Sequence, residues 1–292
     1  MQSKTAKGYL FAILSAVIFG CMPLMSSYIY ADGVTPMTLV FLRNALSLLP
    51  LGLLAYKEHG SLKIPVKLLP SISLIAVLGC SITPILLFSS YQFIPSGAAT
   101  VIHFAYPAIV MLGGIVFFKQ KIQAMNVLCV VLCITGISLF YSPEQSLNFT
   151  GSALSLGSAF SFAAYVLLLS RFDTTDVSGF LFSFYIALFS SIASLLLCLI
   201  TNNLALPTTA FGWGMCVVFS LLVTTGAVVM FQQSAFLIGG EKVSILSTLE
   251  PITSVVIGGI VFHEIISLQV VIGTVLVIAA SIFIVVFGKK KA

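Results

Sequence analysis

The chain has 292 residues, 59% of them hydrophobic and only 7% charged, with a formal net charge of +5. A soluble domain carries about 25% charged residues, so a soluble globule of this length could not cover its surface, and the apolar side chains must face lipid as well as a core. The positive balance does not point to nucleic acid, because the basic residues lie in short segments between apolar runs and form no patch.

Lys4 and Lys7 precede an apolar run from Gly8 to Tyr30. That run is longer than the core of a signal peptide, and no cleavage site with a soluble domain follows it, so it reads as the first membrane helix. A helix of about 20 apolar residues crosses roughly 30 Å of hydrocarbon. Such stretches fall at 8–30, 36–56, 67–92, 96–118, 122–141, 150–170, 177–201, 210–236, 242–262 and 267–287. Polar or turn-forming breaks separate them, among them Asp32-Gly33, Pro95-Ser96-Gly97, Gly239 to Glu241 and His263-Glu264. The expected fold is therefore all-α: a polytopic membrane protein of ten transmembrane helices.

Lysine and arginine test this count independently, because positive residues stay on the cytoplasmic side. With the N-terminus inside, the cytoplasmic segments hold Lys4, Lys7, Lys57, Lys63, Lys67, Lys119, Lys121, Arg171, Lys242, Lys289, Lys290 and Lys291, leaving only Arg43, which lies within a span. The outer loops hold no basic residue. Both termini are expected in the cytoplasm.

The two halves resemble each other. Residues 94–117 read IPSGAATVIHFAYPAIVMLGGIVF and residues 238–262 read IGGEKVSILSTLEPITSVVIGGIVF. At an offset of 144, Pro107 matches Pro251, Thr100 matches Ser244 and Tyr106 matches Glu250; GGIVF recurs one inserted residue later. Five spans is an odd number, so the second copy must be inverted in the membrane. Residues 1–145 and 146–292 are the expected repeats. Inverted repeats suit alternating access, since two related packings can exchange inward and outward openings.

Ten spans in two halves, with Tyr106-Pro107 then GGIVF-Phe-Lys in the fourth and Leu249-Glu250-Pro251 then GGIVF-His-Glu in the ninth, resemble the drug/metabolite transporter superfamily, EamA type. The resemblance covers essentially the whole chain and rests on the constellation rather than on one motif. In that family each half usually places a Glu just after the Gly-rich stretch. Glu264 matches one of these and Lys119 replaces the other. The resemblance implies a bacterial inner-membrane carrier, often an exporter of amino acids or related metabolites.

Ionisable residues inside a span are costly and are functional candidates by default. Arg43, His103 and Glu250 are the clear cases. At about 1.5 Å per residue, Arg43 and His103 lie roughly 10 Å below the outer surface. Glu250 lies roughly 12 Å above the inner one, about 8 Å from their level in a core about 30 Å thick. Glu250 has four readings: it binds a substrate amine, carries a coupling proton, pairs statically with Arg43, or lines an exposed cavity wall without a role. His103 can change charge near neutral pH or serve as a hydrogen-bonded interior residue. Arg43 can take a substrate carboxylate bidentately or brace its helix. By the resemblance, Tyr91, Tyr106 and Tyr165 lie in spans lining a central cavity. Pro23 and Pro84 interrupt the first and third spans and are candidate hinges.

Other chemistries lack their residues. There is no Walker loop, no His-Glu-x-x-His and no Gly-x-Ser-x-Gly. The six cysteines all fall in apolar stretches without metal-ligand spacing. Asn148-Phe149-Thr150 fits a glycosylation acceptor, a triplet that arises readily by chance. The expectation is a secondary carrier of a small polar metabolite, driven by protons or by exchange, with no cofactor, no metal and no nucleic-acid partner. The alternatives are an intramembrane or lipid-modifying enzyme and a non-transporting sensor.

Overall fold

The computed structural model describes residues 2–119, 124–139, 148–169, 177–238, 243 and 246–287. Lys121, Arg171, Lys242, Lys289, Lys290, Lys291, Ser244 and the 145/146 repeat boundary lie outside them. Among the described residues the regular structure is helical throughout. Seven helices are long and apolar enough to cross a membrane, and three shorter apolar helices lie at 127–138, 249–261 and 268–283.

Proline and glycine set the local breaks. Helix α1 (Gln2–Gly20) turns at Cys21 into α2 (Met22–Ala31), with Pro23 in the first turn of α2. Helix α3 (Pro36–His59) is capped by the Thr35 hydroxyl, which accepts from the Thr38 amide at 3.2 Å, and stops at left-handed Gly60. Helix α4 (Leu69–Ala76) passes through a π-helical segment, Val77–Ile82, into α5 (Thr83–Ser90), where Pro84 begins the new helix. The fourth predicted span is two helices, α6 (Ser96–His103) and α7 (Tyr106–Phe118), parted at Phe104-Ala105 just ahead of Pro107. A proline has no N–H to give to the preceding turn, so the ladder opens there.

Then come α8 (Ala124–Ser138), α9 (Phe149–Leu169) and α10 (Gly179–Ile200). Asn148 caps α9, its side-chain oxygen accepting from the Thr150 amide at 2.8 Å, which gives the glycosylation-like triplet a structural role. Helix α11 (Ala210–Phe219) passes through a second π-helical segment, Ser220–Ala227, into α12 (Val228–Ile238). Helix α13 (Leu249–Val261) follows a turn at Ser247-Thr248 and carries Pro251 in its first turn; α14 (Leu268–Phe287) closes the described chain.

These irregularities recur at the sequence offset of 144. Val77–Ile82 maps inside Ser220–Ala227. The α6/α7 break maps onto the turn before α13. Lys119 and His263, both with left-handed backbone, lie just past the ends of α7 and α13. The packing also maps onto itself when the halves are exchanged: α1 packs on α12 and α13, while α9 packs on α5 and α7. The pairs α3·α10 and α8·α14 join like elements. The largest buried cluster centres on Phe88, Phe219, Val101 and Ile102, where α3, α5, α6 and α11 with the π segment that follows it meet.

Candidate functional site

Glu250 opens α13. Its amide donates to the Ser247 carbonyl at 3.0 Å across the break. The residue thus sits in the first helical turn, where the backbone dipole favours an anion. Helix α1 sets its height: a Cβ on Gly20 would come within 2.8 Å of the Glu250 carbonyl oxygen and 2.5 Å of Thr253 Cβ. Among the described residues no hydrogen bond or ion pair reaches the Glu250 carboxylate. The phenols of Tyr91 and Tyr106 lie within its electrostatic range. No ion pair joins it to Arg43, so the static-pair reading has no contact behind it.

Tyr106 opens α7 as Glu250 opens α13. Its ring lies 5.7 Å from those of His103 and Phe104 and 4.6 Å, edge-on, from Phe162 of α9. Phe162 continues to Tyr165 at 5.3 Å. Tyr165 in turn lies over Gly79 of the first π segment, where a Cβ would collide with its ring. His103 is buried at the end of α6, with its Nδ1 2.8 Å from the Ser158 hydroxyl. Thus His103, Tyr106, Phe162 and Tyr165 form one aromatic run, and Tyr106 within it is in electrostatic range of Glu250.

Arg43 and Tyr91 form a second group. The Arg43 guanidinium carbon lies 5.6 Å from the centre of the Phe88 ring, and Tyr91 packs on the same ring at 5.9 Å. The Arg43 Nε is shielded from solvent without a hydrogen-bond partner, as is the Tyr30 hydroxyl. Tyr91 is within electrostatic range of both Arg43 and Glu250, so it links the two groups.

Sequence reading missed Phe162, Ser158, Phe88 and Tyr30. The signal for Ser158 is the serine run of α9: Ser155 donates to the Ala99 carbonyl at 2.5 Å and Ser161 to the Leu78 carbonyl at 2.9 Å. Serines spaced by three in an apolar helix mark a face that bonds to a neighbour. Phe88, Phe162 and Tyr30 carry no such signal in a chain with 24 Phe and 9 Tyr.

Elsewhere, a crevice of about 560 Å³ between α13 and α14 is walled by aliphatic residues such as Ile252, Val256 and Ile278, with Thr274 its one polar lining residue. It does not include Glu250 or the tyrosines. Among the described residues, no three His, Cys, Asp or Glu side chains are grouped to hold a metal ion.

The EamA-like transporter family matches the chain twice, over residues 6–142 and 149–286. An uncharacterized transporter of Haemophilus influenzae is 28% identical over 190 residues, a match that spans 61% of each chain. An uncharacterized transporter of Clostridium kluyveri is 22% identical across 94% of this chain and 92% of its own. A solved crystal structure, 16% identical, superposes with a TM-score of 0.63 over 95% of this chain and 96% of that one, a likeness of fold alone. With two successive matches that together span most of its length, the chain is a multi-pass membrane protein and belongs to the EamA-like transporter family.

Proposed function

We propose that the chain is a secondary carrier, not an enzyme, and that it moves a small polar metabolite by alternating access between two inverted five-helix repeats, residues 1–145 and 146–292. The substrate is an amino acid or related compound, exported across a bacterial inner membrane with proton coupling or by exchange. Both termini face the cytoplasm. Support for the repeats comes from the recurring π segments, helix breaks and left-handed helix ends, and from the exchangeable packing. Discontinuous helices near the bilayer midplane, one from each half, are where such carriers place substrate and coupling ions.

The observation that carries this reading is the Glu250 carboxylate. It opens one broken helix, has Tyr106 at the start of the other within electrostatic range, and has no counter-ion among the described residues. An uncompensated carboxylate within a span is kept for a ligand or a proton. His103 takes a supporting role, holding the break beside Tyr106.

The test is a thermal-unfolding screen of purified protein against amino acids, amines, nucleosides and sugars. A ligand at about 100 times its dissociation constant adds about 2.7 kcal/mol to the folded state. The expected result is stabilisation by an amine-bearing compound that vanishes in Glu250→Gln. A ligand whose stabilising effect survives that substitution places the site elsewhere.

A further inference from the structure

We propose that Arg43, with Tyr30 and Tyr91, forms a receptor for a carboxylate, the acidic end of the carried substrate; this deepens the carrier reading and rests on it. A guanidinium within a span is costly, and such charges are normally paired. Here three of the four described acids are engaged elsewhere. Asp32 accepts from Thr208 and Thr209, Glu264 from Ser96, and Glu58 from the Phe180 amide. Glu250 makes no ion pair with Arg43. The other acids, Glu144, Asp173, Asp176 and Glu241, belong to inter-span segments of the sequence.

What surrounds Arg43 is a set of donors. Its Nε has no acceptor, and the buried Tyr30 hydroxyl has no partner. Ser26, whose own proton goes to the Pro23 carbonyl at 2.9 Å, is the polar group beside that hydroxyl, but the two are not in hydrogen-bond geometry. The Cys80 thiol, Tyr30 and Tyr91 are all within electrostatic range of the guanidinium, Tyr30 and Tyr91 also of each other, and the Tyr91 hydroxyl has the Thr100 side chain beside it. Phe88 supports the guanidinium through its ring, an arrangement that leaves the in-plane N–H groups free to form a fork. An arginine fork beside phenol donors suits a planar monoanion with two oxygens, which accepts two parallel N–H bonds. The single cation balances one negative charge, whereas a phosphate dianion would call for a second. Tyr91 spans from this receptor toward Glu250, which gives one ligand two polar ends to satisfy.

The chain contains only two arginines, Arg43 and Arg171. In an Arg171→Lys background, phenylglyoxal therefore has one guanidinium to modify, read by peptide mass spectrometry. Acetate, glutamate and leucine are the probes; acetamide and sodium chloride of equal ionic strength are the controls. The expected result is an adduct on Arg43 that at least one carboxylate slows by about tenfold at ten times its dissociation constant, with neither control protecting. Tyr30→Phe should weaken the protection. An Arg43 that never reacts, or one that reacts at the same rate with and without all three carboxylates, overturns the receptor. Solute counterflow with an unprotected Arg43 would leave the carrier reading intact and remove the receptor. Protection without counterflow of any solute would keep the receptor and remove the carrier.

Discussion

The Ser158 hydroxyl donates to the Ser155 carbonyl at 2.6 Å, so its oxygen must accept from His103 Nδ1 at 2.8 Å. This fixes the neutral imidazole as the Nδ1–H tautomer. With Phe104, Tyr106 and Phe162 packed around the ring, the histidine braces the α6/α7 break. His103→Asn can keep a donor toward Ser158 and should transport with an unchanged pH profile. His103→Ala should lower the unfolding free energy by about 1–3 kcal/mol, the cost of a buried partner left unsatisfied, with a further loss from ring packing. A pH profile that shifts in His103→Asn would instead make the histidine a proton carrier. Glycine positions are as exacting as the polar ones. Gly258 leaves space for the Glu264 carboxylate and Gly212 for that of Asp32; in the first GGIVF copy the equivalent Gly113 instead faces Leu167 of α9.

At the scale of elements, three carboxylates cap helices that are remote in sequence. Asp32 accepts from the Thr208 and Thr209 amides and the Thr208 hydroxyl at the start of α11. Glu264 accepts from the Ser96 amide at 2.9 Å at the start of α6. Glu58 does the same for α10 through the Phe180 amide at 3.4 Å. Each satisfies an orphan N–H and places a negative charge at a helix N-terminus. Glu264→Ala should cost about 1 kcal/mol, the typical loss of a helix cap, measured by thermal unfolding, and Glu264→Gln should recover part of it. The Thr209 amide, with Thr208 adding to it, holds the Asp32 carboxyl below its ordinary range. A depressed native pKa stabilises the fold fully above the ordinary carboxylate value of about 4. That contribution is lost as the pH falls through the lowered native pKa. Asp32→Asn should therefore flatten the acid limb of the stability–pH curve, and an unchanged limb would mean that these bonds do not form in solution. Gly20→Val should push α13 away from α1 and impair transport while leaving the protein folded, because the Glu250 carbonyl and Thr253 lie where the new side chain must go.

For the whole molecule, the long apolar runs were legible because each helix must satisfy its own backbone bonds in lipid. Pro23 marked the break at Cys21, since a missing N–H acts locally, whereas the spans 96–118 and 242–262 read as continuous and their breaks before Pro107 and Pro251 appear only in the structure. Glu250 and Tyr106 could be paired from the repeat alone. The π segments could not be foreseen: Val77–Ile82 is held by contacts from outside it, with Thr83 and Ser161 both donating to the Leu78 carbonyl. The caps made by Asp32 and Glu264 were hidden for the same reason, because capping patterns in sequence are read over a few residues and these partners lie 168 to 177 residues apart. Tyr30 escaped notice because it ends a span and carries no charge. The inverted arrangement makes its own prediction: in a cysteine-free background, a cysteine at Ser61 should label only from the cytoplasm and one at Asn202 only from outside. Labelling of both from one side would contradict it.

The most direct measurement is solute counterflow in proteoliposomes, with wild type and Glu250→Gln compared at equal reconstitution and across pH. A carrier centred on Glu250 shows saturable counterflow of an amine-bearing metabolite in wild type, and its loss or uncoupling from pH in Glu250→Gln. Equal counterflow by the two proteins with the same pH dependence would contradict it.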